Sequence, residues 1–111
     1  MTIAPAGSMK KISLDHLTID PERFIVIKED SVIALTKTEF LILYLMMSTK
    51  GKIQTRADIS RFAWGSEVLE NPRTIDTHIS NIRKKVGKVK ERAVISVIKG
   101  VGYKLDDVLN G

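Results

Sequence analysis

Cysteine is absent from the sequence, so neither a disulfide framework nor a thiolate metal site can be built. That fits a reducing cytoplasm, the compartment expected for the chain. Only two histidines occur, His16 and His78, too few and too far apart for a metal centre without cysteine. Aromatic residues are 5% of the chain, which leaves few rings for the base stacking that single-stranded RNA recognition requires. The longest apolar run, Phe40 to Met47, is far too short to span a membrane. Met1-Thr2-Ile3-Ala4-Pro5 lacks the basic start and long apolar stretch of a secretory signal. No carboxylate pair shares an apolar pocket pattern, and Asp106-Asp107 reads as a solvated terminus. Gly100 and Gly102 are followed by Leu105 where a dinucleotide fingerprint needs its third glycine. With no nucleophile–base pair either, no catalytic residue, metal or cofactor is expected, and the chain is not expected to be an enzyme.

What is present suffices for one folded unit: 111 residues, 43% hydrophobic and 28% charged. Residues 1–9, with the small-residue stretch Ala6-Gly7-Ser8-Met9, read as a disordered tail or expression scar. The domain is expected over 10–107, with 108–111 as a C-terminal tail. The net charge of +5 is unevenly placed. Residues 1–70 hold nine Lys/Arg and nine Asp/Glu; residues 71–111 hold nine Lys/Arg and four Asp/Glu, and so carry the whole excess. A cationic third is what a polyanion binder shows, and it equally fits a solvated basic surface until the charges are placed on a face.

Ile12-Ser13-Leu14, Leu17-Thr18-Ile19, Phe24 to Ile27 and Val32 to Leu35 are short β-branched runs separated by polar turns, which predicts a small antiparallel meander. Thr36-Lys37-Thr38-Glu39 is a capping box, so a helix is expected from Lys37. It should pack on more than one side and stop at Lys50-Gly51, with glycine supplying a left-handed turn. Thr55 to Asp58 caps a second, short helix ending at Gly65. Trp64, at its end, reads as a core aromatic. A polar loop follows over Gly65 to Glu70, closed by Asn71-Pro72, which can start a third helix over 72–87.

In that third helix Ile79, Ile82 and Val86 fall within about 40° of Ile75 at 100° per residue, a narrow apolar stripe. Arg73, Thr77, Ser80, Asn81 and Lys84 lie on the opposite side, with Thr74, His78 and Lys85 on one flank and Arg83 on the other. The single acid, Asp76, sits to the side, where it can orient Arg83 or Arg73. A helix with one buried face and one face of donors suits the major groove of duplex DNA. Asn81 can pair bidentately with adenine, while Ser80 and the Thr77 methyl suit base edges. Arg73, Thr74, His78, Arg83 and Lys84 suit phosphates, which fix register without reading sequence. His78 alone reads as a surface hydrogen-bonding residue rather than a metal ligand, and each basic residue taken singly also fits plain solvated surface. After a polar, basic connector over Gly87 to Ala93, Val94 to Leu105 predicts a β-hairpin. Its tip, Lys99-Gly100-Val101-Gly102, suits either a minor-groove contact, with glycines letting the backbone approach phosphates, or an ordinary turn.

Several motifs together resemble the winged-helix output domains of OmpR/PhoB-type two-component response regulators. They are Leu35-Thr36 with Glu39-Phe40, Thr55-Arg56, Ala63-Trp64, Arg73 to Ile79, Ile82 to Val86, and Lys99 to Tyr103. The likeness extends over residues 11–105. It implies an α+β fold, a winged helix-turn-helix with an N-terminal four-stranded antiparallel sheet, three helices and a C-terminal hairpin wing. It also implies sequence-specific duplex DNA binding for transcription regulation, with helix 72–87 in the major groove and wing 94–105 at the minor groove. By the same likeness Thr77, Ser80 and Asn81 face bases, Arg73, Thr74, His78 and Arg83 touch backbone, and loop 65–70 lies where RNA polymerase can be contacted. Two copies would bind tandem half-sites, and a receiver domain answering a sensor kinase would precede the domain in a whole protein. Two positions depart from the common pattern: Lys99 stands for an arginine, and Ser80-Asn81 for an arginine pair. Lysine acts as a point charge rather than a fork, and the second change bears on which operator is read. The competing expectation is a protein-interaction module docking polymerase or a partner regulator through loop 65–70.

Overall fold

A computed structural model of the chain describes residues 9–14, 16–65, 73–89 and 92–105. Strands β1 (Ile12–Leu14), β2 (Leu17–Asp20), β3 (Ile25–Lys28) and β4 (Ser31–Ile33) form an antiparallel sheet in sequential order, as expected. Alternation sets its inner face: Leu17 and Ile19 of β2 are fully buried, and Ile19 lies opposite the equally buried Val26 of β3. Phe24 is not part of a strand. It adopts a left-handed φ of 58° at the end of a turn that Asp20 opens by accepting the Glu22 amide at 3.0 Å. This conformation sends its ring onto Phe40, with centroids 4.1 Å apart.

Helix α1 (Lys37–Ser48) is the centre of the molecule, with every residue from Glu39 to Met47 buried. Its capping box forms as expected: the Thr36 hydroxyl accepts the Glu39 amide, and Glu39 Oε1 accepts the Thr36 amide. Its C-terminus differs from expectation. Thr49 is the C-cap, and the Thr49 amide, Thr49 hydroxyl and Ser48 hydroxyl all converge on the Leu45 carbonyl. Gly51, at φ 84°, serves the following turn instead. Helix α2 (Arg56–Trp64) is capped by Thr55 and closed by left-handed Gly65, both as expected. Trp64 is 38% exposed, which corrects its expected place in the core. Nine helical residues offer the core few positions, and Ile59 is the apolar side chain among them that is fully buried.

Helix α3 (Arg73–Val86) buries Ile75, Ile79, Ile82 and Val86 in the common core, packing against α1 and α2. Each such side chain contributes about 1.5–3 kcal/mol by leaving water. The polar, basic connector expected after α3 includes a short ribbon not read from the sequence, β5 (Lys88–Val89) paired with β6 (Arg92–Ala93). Strands β7 (Ile95–Ile98) and β8 (Gly102–Leu105) form the expected hairpin. Gln54, between α1 and α2, pairs with Tyr103 through two backbone bonds of 2.7 and 2.9 Å, a one-residue bridge along the free edge of β8. Gly102 permits this approach, since a Cβ there would stand 2.2 Å from the Gln54 carbonyl oxygen.

Two long-range polar ties fasten α3 to the body. Lys85 Nζ donates to Glu39 Oε1 at 2.7 Å, and the Glu39 side chain is 3% exposed. Lys28 Nζ of β3 donates to the carbonyls of Val86 and Lys88, each at 2.8 Å, and so caps the helix C-terminus where a cation is favoured. Burial pushes the Glu39 carboxyl up, but Lys85 and the Thr36 amide outweigh it and hold the group below its ordinary value of 4.5. A depressed carboxyl stabilises the fold above its unfolded-state value, and this contribution is lost as pH falls below about 4.5. Lys85→Met leaves Glu39 buried with its charge unpaired, and should cost about 1–3 kcal/mol in chemical denaturation at neutral pH. The same variant should flatten the acid-side slope of stability against pH.

Candidate nucleic-acid interface

Arg73, Thr77, Ser80 and Lys84 are exposed opposite the buried stripe of α3 and Thr74 and Arg83 are exposed on its flanks, while His78 and Asn81 are half-buried. All lie on one 14-residue helix, so the side chains selected from sequence share a rigid support. Lys99 is exposed in the turn between β7 and β8, where the Val101 amide donates to the Ile98 carbonyl at 2.9 Å and Gly100 takes φ 76°. The glycines of the hairpin thus divide their roles. Gly100 makes the turn, and Gly102 admits the Gln54 backbone.

Asp76 feels the charge of Arg73, as expected, but its main partners lie on other elements. It is gripped by Arg56 of α2, whose Nε and Nη2 donate to its two oxygens at 3.0 and 2.9 Å, and the Tyr103 hydroxyl of β8 donates to Oδ1 as well. The Arg56 bonds hold the Asp76 carboxyl below its ordinary value against burial, with Tyr103 adding to the effect and Arg73 lending its charge. Burial, then the bond to ionised Asp76, pushes the Tyr103 phenol up to about 12. One carboxylate therefore joins α2, α3 and the hairpin. Its charge is also taken up internally and does not oppose an incoming anion at the outer face.

The cations sort into two groups. Lys85 and Lys28 are occupied by Glu39 and by backbone carbonyls. Arg83, Lys84 and Lys99 extend from exposed positions. His78 lies against Trp64, with ring centroids 5.7 Å apart, and its Nδ1 is buried with no hydrogen-bond partner among the described residues. Only its other ring nitrogen is then available to a ligand. Of loop 65–70 only Gly65 is described; Ser66 to Glu70, the Asn71-Pro72 helix start and the terminal stretch from Asp106 lie outside the described residues. Among the described residues no helix is long and apolar enough to cross a membrane, and no group of His, Asp or Glu could hold a metal ion.

Arg56 and Tyr103 were not singled out as site residues by the sequence. Tyr103 carried a signal in the inward alternation of its strand, and Arg56 carried none beyond its place in the Thr55-Arg56 motif.

Residues 29–105 match the family model described as transcriptional regulatory protein, C terminal. Among curated proteins, the regulatory protein VanRB of Enterococcus faecalis is 35% identical over 90% of this chain and 44% of its own length. The transcriptional regulatory protein ResD of Bacillus subtilis is 32% identical over 82% of this chain and 39% of its own. The chain thus spans less than half the length of these relatives. The solved RstA DNA-binding domain of Klebsiella pneumoniae, in complex with the RstA box, superposes with a TM-score of 0.77 at 28% identity. The match covers 86% of this chain and 96% of that one. DrrB of Thermotoga maritima, described as a response regulator and an OmpR/PhoB homologue, superposes with a TM-score of 0.75 at 32% identity, over 92% of this chain and 45% of that one.

Asp76→Asn should leave the folded state intact but weaken its grip on Arg56 and Tyr103. An alkaline absorbance titration should then place the Tyr103 phenol below the value of about 12 it has beside the carboxylate. An unchanged midpoint would show that burial alone sets it.

Proposed function

The chain belongs to the transcriptional regulatory protein C-terminal family, and on that premise we propose that it binds duplex DNA sequence-specifically as the output domain of a response regulator. The winged-helix architecture is that of the family, and the RstA domain, a structural relative, is described in complex with its DNA box. The observation that carries the proposal to this chain is the outer surface of α3, where the exposed Arg73, Thr77, Ser80 and Lys84 stand opposite a fully buried apolar stripe with the exposed Thr74 and Arg83 on its flanks. In this reading Thr77, Ser80 and Asn81 meet base edges in the major groove. Arg73, Thr74, His78, Arg83 and Lys84 hold phosphates, and Lys99 approaches the adjacent minor groove.

The whole protein would add a receiver domain, responsive to a sensor kinase, and two output domains would occupy tandem half-sites. The exposure of Trp64 beside loop 65–70 favours a second contact there, with RNA polymerase or a partner regulator.

Selection of bound sequences from random duplexes tests the assignment. Asn81→Ala should change preference at one base position by about 1–3 kcal/mol, whereas Lys84→Ala should weaken all sequences alike. Recovery of the parental motif by the Asn81 variant would overturn its role, and affinity independent of salt would overturn DNA binding itself.

A further inference from the structure

Beyond the residues assigned above, α3 and the start of the ribbon that follows it form an open cleft of about 380 Å³ lined by Ser80, Arg83, Lys84, Gly87 and Lys88. Three of the five lining residues are cations and none is an acid. Such a cleft at the C-terminal end of a helix would ordinarily disfavour an anion, because the last carbonyls carry partial negative charge. Here that charge is offset from within. Lys28 Nζ donates to the carbonyls of Val86 and Lys88, on either side of Gly87, so the backbone at the cleft presents a neutralised terminus. Lys28 is not among the residues lining the cleft, which leaves Arg83, Lys84 and Lys88 to face an incoming group.

We propose that this cleft seats one phosphate of the DNA backbone and that Lys88, on β5, is a DNA contact. The inference rests on the DNA-binding reading and adds a site to it. The β5–β6 pairing is what holds Lys88 beside the helix, since an irregular connector would leave the side chain free of any fixed relation to Arg83 and Lys84. Ser80, assigned above to base edges, lines the same cleft, which puts the seat at the border where groove floor gives way to backbone. A phosphodiester suits the lining: a compact anion with several acceptor oxygens, met by guanidinium, ammonium and hydroxyl donors.

The salt dependence of affinity for a mixed-sequence duplex, followed by fluorescence anisotropy, tests the seat. The parent chain and Lys88→Ala are compared after denaturation has shown equal stability, as an exposed strand residue predicts. Loss of one phosphate contact should make the log–log slope shallower by about 0.9 and weaken binding to every duplex sequence to the same extent. A Lys88→Ala slope equal to the parent's overturns the phosphate seat while duplex binding by the parent keeps the functional reading. Failure of the parent itself to bind duplex removes that reading and the seat together. Inorganic phosphate titrated alone should leave the Gly87 and Lys88 amide resonances unchanged at low millimolar concentration. Saturable shifts there would assign the cleft to a free anion and overturn the backbone assignment.

Discussion

The Asp76 carboxylate sits where three elements meet, and the geometry of the outer surface depends on its being held there. Arg56 reaches it from α2 and Tyr103 from β8, so the helix offered to a ligand and the hairpin beside it share a single fixed point. Lys85 ties the far end of the helix to α1, and Lys28 ties it to β3. The four fastenings come from four different elements and all converge on α3. An exposed ion pair such as Arg56–Asp76 is worth little by itself, no more than about 1 kcal/mol. Its importance is geometric. The apolar stripe supplies the adhesion of the helix, and the polar ties fix its rotation and its position along its own axis.

This arrangement changes what the net charge means. Counted along the sequence, the last third is a basic tract. In the fold, Lys85 is neutralised by a buried glutamate, and Asp76 is neutralised by Arg56 and a phenol. In the DNA-binding reading proposed above, the field that meets a polyanion comes chiefly from the exposed Arg83, Lys84, Lys88 and Lys99, with the one acid of α3 already matched. Placement, more than the total of +5, separates a binding face from a merely solvated one.

The local features were legible from sequence because they are encoded in residues a few positions apart. The two capping boxes, the Gly65 stop, the sheet alternation and the stripe of Ile75, Ile79, Ile82 and Val86 all repeat within one or two turns or a pair of strands. The fastenings were not legible, because they join residues 20, 27, 46 and 58 positions apart and leave no periodic trace. Glu39 is the instructive case. Its capping role is local and could be read, while its second role as the buried partner of Lys85 uses the same oxygen and could not. Trp64 misled for a related reason. Large aromatics are mostly sheltered, but a nine-residue helix ending in a glycine turn left this one at the surface against His78. The ribbon after α3 was hidden by its polarity, since Lys88 pairs with Ala93 and Val89 with Arg92 without an alternating apolar pattern.

The close approach of Gly102 to Gln54 makes the hairpin stem part of the body, joined through main-chain bonds as well as through Tyr103. The stem of the hairpin and α3 are therefore fastened to one body, which fixes where the hairpin leaves it. In the DNA-binding reading proposed above, a mismatch between this stem and the groove spacing falls at least in part on the duplex. Sequences whose steps bend or narrow easily then have an advantage at positions that no side chain touches.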